Sequence, residues 1–285
     1  MIQPKVYKKF SEVEQQIKDT YPQLVYKYRT WKDDNHKRLL TKQEAWFAHP
    51  FSLNDTNDIR RPIKINIEDF NSAQLIDKIW EAGRALNKDF TEEELAREVG
   101  YRSQQIKRDP SKYFKQNFDS LYNNRELYNS FGVFSTSQNG LSEEMWSSEE
   151  YSDNNKGYCV GFNTLELVRV FPYFIGEVLY NEDDLELKIS DAYNNRLYKL
   201  EVLSKYPKWS FEQEIRLMTF DIRNELRIRH FPVKAVSEIL IGKDASIDTE
   251  QEILYYSRKI YGEKIPIFKV VPSNTAFSLD KQRLI

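Results

Sequence analysis

Gly132-Val133-Phe134-Ser135-Thr136-Ser137, Leu141-Ser142-Glu143-Glu144-Met145-Trp146 and Gly157-Tyr158-Cys159-Val160-Gly161-Phe162 together decide the fold class. The outer two runs are short and apolar, with β-branched and aromatic residues, and predict strands. The middle run predicts a short helix. Outward in both directions the chain repeats this irregular mixture. Strands are expected over residues 24–30, 44–48, 167–170, 177–180, 211–220, 236–241 and 265–271. Helices are expected over 5–20, 72–86, 190–204 and 248–261. A further helix is expected after Phe90, where Thr91 and Glu94 stand at capping-box spacing. Strands clustered around helical interruptions imply an α+β fold rather than alternating βαβ units. The expected architecture is a curved, mostly antiparallel sheet in two halves, with flanking helices and a ligand cleft between the halves. A single domain is expected over residues 1–285, with 71–130 as a helical insertion.

Composition narrows the function. The 42 Lys and Arg against 44 Asp and Glu leave a net charge of −2, which argues against a general nucleic-acid binder. One cysteine, Cys159, excludes an internal disulfide and fits a reducing compartment. Its apolar neighbours predict a buried core thiol. The opening residues lack the apolar stretch of a secretory signal, and no run of about 18 apolar residues predicts a membrane span. A cytoplasmic protein is expected. His36, His49 and His230 are too scattered for a zinc site.

An ordered set of segments resembles a widespread bacterial family catalogued as a domain of unknown function. These are Tyr26-Lys27-Tyr28-Arg29-Thr30, Trp46 through Asp55, Gly132 through Ser135, Met145-Trp146, Lys156 through Phe162, Trp209 through Arg216, and Ser237 through Gly242. The chain departs from the family pattern at Thr56, where a proline is usual. It also departs at Ser147-Ser148-Glu149-Glu150-Tyr151, where a His-Tyr pair is usual.

A second resemblance carries chemistry. Arg29 on a first strand, Ser135-Thr136-Ser137 on a middle strand and Glu212-Gln213-Glu214 on a late strand look like the layout of ADP-ribosyltransferases. Those enzymes cleave the nicotinamide–ribose bond of NAD. The resemblance implies NAD as substrate, bound by Arg29, Tyr28 and the hydroxyl run, and Glu214 as the main catalytic carboxylate with Glu212 beside it. It implies a protein or nucleic-acid acceptor and a role as a toxin or phage-defence effector. The residue types suit such chemistry, because arginine forks onto phosphate oxygens and a carboxylate meets the cation that develops on ribose. In a strand, Glu212 and Glu214 would share a face, and their repulsion would raise one pKa. An enzyme of this kind needs Arg29, Ser135 and at least one of the two glutamates to converge on one cleft.

Plainer roles stand beside these. Arg29 could close an ion pair with Glu212 or Glu214. Ser-Thr-Ser could be a strand end, and Glu212 and Glu214 the wet face of an edge strand. Trp146, Tyr158 and Phe162 read as core, and Asn54-Asp55 as a turn. The basic strip Arg223, Arg227, Arg229 and His230 reads as surface; in a helix, Arg223 and Arg227 could touch phosphate. Two other function classes compete: a non-catalytic ligand-sensing or interaction domain, and a nuclease holding Mg²⁺ on Glu212, Glu214 and Asp55.

Overall fold

A computed structural model describes residues 10–55, 57–59, 61, 63–66, 73–109, 112–113, 116, 131–171, 174–183, 185–188, 202–220 and 226–284. The strands, in chain order, are β1 Leu24–Arg29, β2 Glu44–Trp46, β3 Ile63–Asn66, β4 Phe131–Ser137, β5 Tyr158–Asn163, β6 Phe174–Glu177, β7 Leu179–Tyr180, β8 Leu185–Lys188, β9 Ser204–Lys205, β10 Glu214–Phe220, β11 Ile228–His230, β12 Val236–Ile241, β13 Ile267–Pro272 and β14 Leu279–Arg283. The helices are α1 Phe10–Thr20, α2 Asp34–Thr41, α3 Ala73–Leu86, α4 Glu92–Arg108, α5 Glu143–Ser147, α6 Glu149–Ser152, α7 Thr164–Val170 and α8 Ile247–Tyr261.

The architecture is α+β. Eight strands form one sheet in the order β14-β13-β12-β5-β1-β4-β10-β6. Every neighbouring pair runs antiparallel except β12 and β13. The apolar run of β5 is explained by its place: it lies between β1 and β12, and Tyr158 through Phe162 are buried on both faces. One core gathers Val25, Phe47, Phe134, Val160, Phe162, Ile215 and Ile239 on one side of the sheet. Tyr28, Trp146, Cys159, Leu240 and Val270 fill the other side. The edge strand β14, Leu-Asp-Lys-Gln-Arg, is polar, which blunts a free edge.

One discontinuity in the sheet positions the candidate site. β1 pairs with β5 along its whole length, from Leu24 opposite Asn163 to Arg29 opposite Tyr158. Against β4 it pairs only at Tyr26, opposite Ser137. Beyond that point the two strands part. Farther along, Ala48 takes over the β4 edge, exchanging bonds of 2.8 and 2.9 Å with Val133. The alternation of an antiparallel strand therefore directs the backbone of Ser135, midway between these pairings, into an open gap.

Several expectations are corrected. Residues 167–170 lie in α7, not a strand, because Asn163 caps that helix by accepting from the N–H of Glu166 at 3.1 Å. Residues 211–212 belong to a 3-10 turn, Pro207–Glu212, and Gln213 has left-handed φ of 43°. β10 therefore starts at Glu214. Arg227 is buried and donates to the carbonyls of Phe47 and Phe131, and Arg229 lies in β11 opposite Ala45, so neither belongs to a phosphate-facing helix. Residues 73–108 contain the paired helices α3 and α4, and α4 has the expected capping box. Residues 5–9, Thr56, Arg223, residues 190–201 of the helix expected over 190–204 and most of 110–130 lie outside the described residues; Ser204, at the end of that expected helix, belongs to strand β9.

Candidate functional site

The gap between β1 and β4 opens into a cleft of about 300 Å³. All seven residues singled out from the sequence border it: Tyr28, Arg29, Ser135, Thr136, Ser137, Glu212 and Glu214. They do not reach it from one face of the sheet. Register places Ser135, Ser137, Glu214 and Arg216 on the face of Tyr26, while Lys27 and Arg29 leave β1 on the opposite face. They meet because the strands part there. Glu212 comes from the 3-10 turn and not from the strand face shared with Glu214, since the left-handed Gln213 turns the chain between them.

The acidic wall is a closed ionic network. Arg216, fully buried, donates from Nε and an NH2 nitrogen to the two oxygens of Glu214, both at 2.8 Å. It also grips Asp58 at 2.9 and 2.5 Å and the carbonyl of Val202 at 2.6 Å. All five guanidinium N–H groups are thereby matched. Lys205, also buried, places its ammonium 2.6 Å from Glu212 and 3.6 Å from both Glu214 and Asp58. Three carboxylates thus share two cations. Burial lowers the Lys205 pKa, but Glu214, Glu212 and Asp58 outweigh it and the net shift is upward. Burial would likewise raise Glu214, yet the charges of Arg216 and Lys205 outweigh it and hold that carboxyl at about 2. Glu212 is the odd carboxylate. Burial and then the charge of Glu214 push its pKa up to about 7, against the pull of Lys205 and of a hydrogen bond from the Tyr151 hydroxyl. Asn54 donates to that same hydroxyl at 2.9 Å.

The opposite wall is open. Arg29 is half-buried and makes no close ion pair among the described residues; its guanidinium donates to the Tyr28 carbonyl at 3.4 Å, and burial lowers its pKa against the longer-range attraction of Asp33. The structural ion pair with Glu212 or Glu214 is therefore absent. Lys27 donates to the Ser135 carbonyl at 2.5 Å, across the gap. Burial and the charge of Arg29 push its pKa well below the usual lysine range. His36 lines the cleft with these groups and Trp46, its Nδ1 3.1 Å from the Thr30 hydroxyl. Burial and Arg29 lower its pKa to about 4, so the ring is neutral at neutral pH.

The hydroxyls divide. Thr136 donates to the Ile215 carbonyl at 2.8 Å and Ser137 to the Asn139 carbonyl at 3.1 Å, so both brace the wall. Ser135 keeps its backbone at the gap and its hydroxyl on Glu214. The Tyr28 hydroxyl is committed to the Asn139 carbonyl at 2.7 Å and the Ser142 N–H at 3.3 Å. His49 accepts from Phe51 N–H at 3.1 Å, a capping role. Asp55 accepts from Asn57 N–H in a turn and does not line the cleft. The acid trio is Asp58, Glu212 and Glu214, and its oxygens already face Lys205 and Arg216. This donor set suits a bound cation poorly.

Lys27, His36, Asn54, Asp58, Tyr151 and Lys205 also border the cleft, and none of them is expected there from the sequence. Alternation along β1 is a signal that could give Lys27, because it shares a face with Arg29. The others converge through tertiary structure.

Residues 145–217 match the model of a family described as Protein of unknown function (DUF2971). The match runs from α5 into β10 and carries Tyr151, Lys205, Glu212, Glu214 and Arg216. It therefore covers the acidic wall apart from Asp58, while β1 and β4 lie outside it. No curated protein and no solved structure matches the chain.

Proposed function

We propose that the cleft binds NAD and breaks its nicotinamide–ribose bond, as an ADP-ribosyltransferase-like enzyme or an NAD glycohydrolase. The observation that carries this is the pairing of walls: an arginine in no close ion pair among the described residues and a carboxylate poised at about 7 border one cleft. Arg29 takes a phosphate oxygen of the dinucleotide. The backbone of Ser135, at the strand parting, meets the nicotinamide end. As the bond between ribose C1 and the pyridine nitrogen breaks, its electron pair leaves with nicotinamide, which departs neutral. Positive charge develops on ribose, and ionised Glu212 stabilises it. Oxygen of water or of an acceptor hydroxyl then bonds to C1, and its proton passes to the Glu212 carboxylate.

The strand pattern favours Glu214 for the leading part. Each oxygen of both carboxylates already accepts a bond, Glu214 from Arg216 and Glu212 from Tyr151 and Lys205, so the pKa of about 7 is what moves that part to Glu212 and leaves Glu214 as a positioning group. An acceptor protein or nucleic acid, and an effector role of toxin or phage-defence type, belong to this proposal by fold-level analogy. The test is nicotinamide release from NAD. Glu212→Gln is expected to slow it on the order of 100-fold while NAD still binds. Wild-type protein that neither binds nor cleaves NAD, with candidate acceptors present, would leave a ligand-sensing or interaction domain in its place.

A further inference from the structure

A second hollow, of about 420 Å³, adjoins the cleft and shares Arg29, His36 and Trp46 with it. Trp46 is the unusual member. It ends β2, which pairs with β11 in a two-stranded sheet, and the residue is 50% exposed. Ile228, directly opposite it on β11, is 36% exposed, so the two make an apolar ledge at the surface. Neither belongs to the core clusters. Around the ledge stand groups able to read the edge of a heterocycle. Asn35 offers a side-chain amide, and Arg38 donates from Nε to Glu44 at 2.5 Å, a bond that does not use its terminal nitrogens. At the junction of the two hollows sits Arg29, in no close ion pair among the described residues; Asp33, which lines the hollow with Glu44, attracts it only at longer range, and Glu44 is held by Arg38.

We infer that this second hollow is a purine-nucleotide subsite: the base stacks on Trp46, its edge meets Asn35 and Arg38, and the phosphates bridge to Arg29. The inference rests on the NAD proposal for the occupant of the neighbouring cleft, and it goes beyond it by assigning the other half of the substrate. A flat exposed indole recognises a base through its π-face, and a cation at the ledge's inner end recognises the phosphates. The geometry would give one dinucleotide two separate footholds, one on each side of Arg29.

Calorimetric titration of ADP, nicotinamide mononucleotide and NAD separates the parts. Trp46→Ala is expected to weaken ADP and NAD about tenfold, a loss in the range of one stacked base, and to weaken nicotinamide mononucleotide, which does not stack on it, clearly less. Trp46→Phe, which keeps a ring, should recover most of that affinity. Arg29→Ala should weaken all three ligands. Wild type that binds nicotinamide mononucleotide but not ADP overturns the subsite alone. Wild type that binds ADP through Trp46, yet neither binds the mononucleotide nor releases nicotinamide, overturns the NAD proposal and keeps the subsite. Equal losses for ADP and the mononucleotide in Trp46→Ala overturn the assignment of the two halves, and no binding of any ligand overturns both proposals.

Discussion

On the acidic wall of the cleft each N–H of Arg216 meets an acceptor, whereas on the β1 wall Arg29 meets only a backbone carbonyl at 3.4 Å. Both are arginines on strands of the same sheet; Arg29 lines the cleft, and Arg216 stands behind Glu214, which does. They differ in what surrounds them. Arg216 points into a protein interior where two buried carboxylates need neutralising. Arg29 leaves β1 where its neighbour strand has withdrawn, and among the described residues Asp33 compensates it only at longer range, without a close ion pair. A matched guanidinium in the interior belongs to stability, because removing it strands buried charge. An unmatched one at a cleft holds its hydrogen-bonding capacity for something that arrives.

The largest expected effect breaks the matched side. Arg216→Met leaves Glu214 and Asp58 buried with only Lys205 near them, which should cost about 3–5 kcal/mol of unfolding free energy in urea. Arg29→Met should change the same quantity by less than about 0.5 kcal/mol, since the guanidinium makes one long bond. Equal losses would erase the distinction between the walls.

Next in size is the pH dependence of stability. Glu212 holds its proton more tightly in the folded state, with a pKa of about 7 against an ordinary 4.5. Its favourable contribution is full below 4.5 and disappears as pH rises through about 7. Glu214 has the opposite sign: its contribution is full above 4.5 and is lost as pH falls toward about 2. Glu212→Gln should therefore remove a loss of stability between roughly pH 5 and 8 and make the variant less pH-sensitive than wild type there. An unchanged slope in urea titrations across that window would show that Glu212 is not the odd carboxylate.

The same contrast explains how much is legible in the sequence. Strands read well where burial on both faces leaves a continuous apolar run, as in β4 and β5, and the mixed class follows from their spacing. Ser135 can be named because it lies on such a strand, and Arg29 and Glu214 because β-branched and aromatic residues mark β1 and the late strand. The partners of Glu214 cannot. Lys205 comes from a two-residue strand and Asp58 from a turn, so neither carries a periodic signal, and only tertiary packing brings them within 3.6 Å. Glu212 sits off the expected strand because a left-handed Gln213 breaks it, and glutamine does not announce that conformation as glycine would. The valines of 167–170 suggest a strand, yet Asn163 and Glu166 stand at helix-start spacing, and the cap prevails. Arg227 reads as surface charge, yet it is a buried donor to two carbonyls.

The smallest expected effect sharpens the contrast at one hydroxyl. Tyr151 belongs to the stretch where the chain departs from the family pattern it resembles, and it reaches Glu212 from α6. Its hydroxyl donates to the carboxylate, so it favours the ionised form and holds the Glu212 pKa below where burial and Glu214 alone would set it. The same bond raises the pKa of Tyr151 itself, after the larger effects of burial and the Glu212 charge, so the phenol stays protonated and remains a donor. Tyr151→Phe removes the donor and keeps the ring against Phe211, 6.3 Å away, so packing should survive. The Glu212 pKa should then rise above about 7, by on the order of one unit or less, since Lys205 still donates at 2.6 Å. Carboxyl carbon chemical shifts followed through a pH titration would report it directly, without any turnover. Under the proposed chemistry the pH at which nicotinamide release becomes half-maximal should move upward by the same amount, because ionised Glu212 is the acting form. A pKa that falls, or a release profile that moves while the carboxyl titration does not, would place the acting carboxylate elsewhere on the wall.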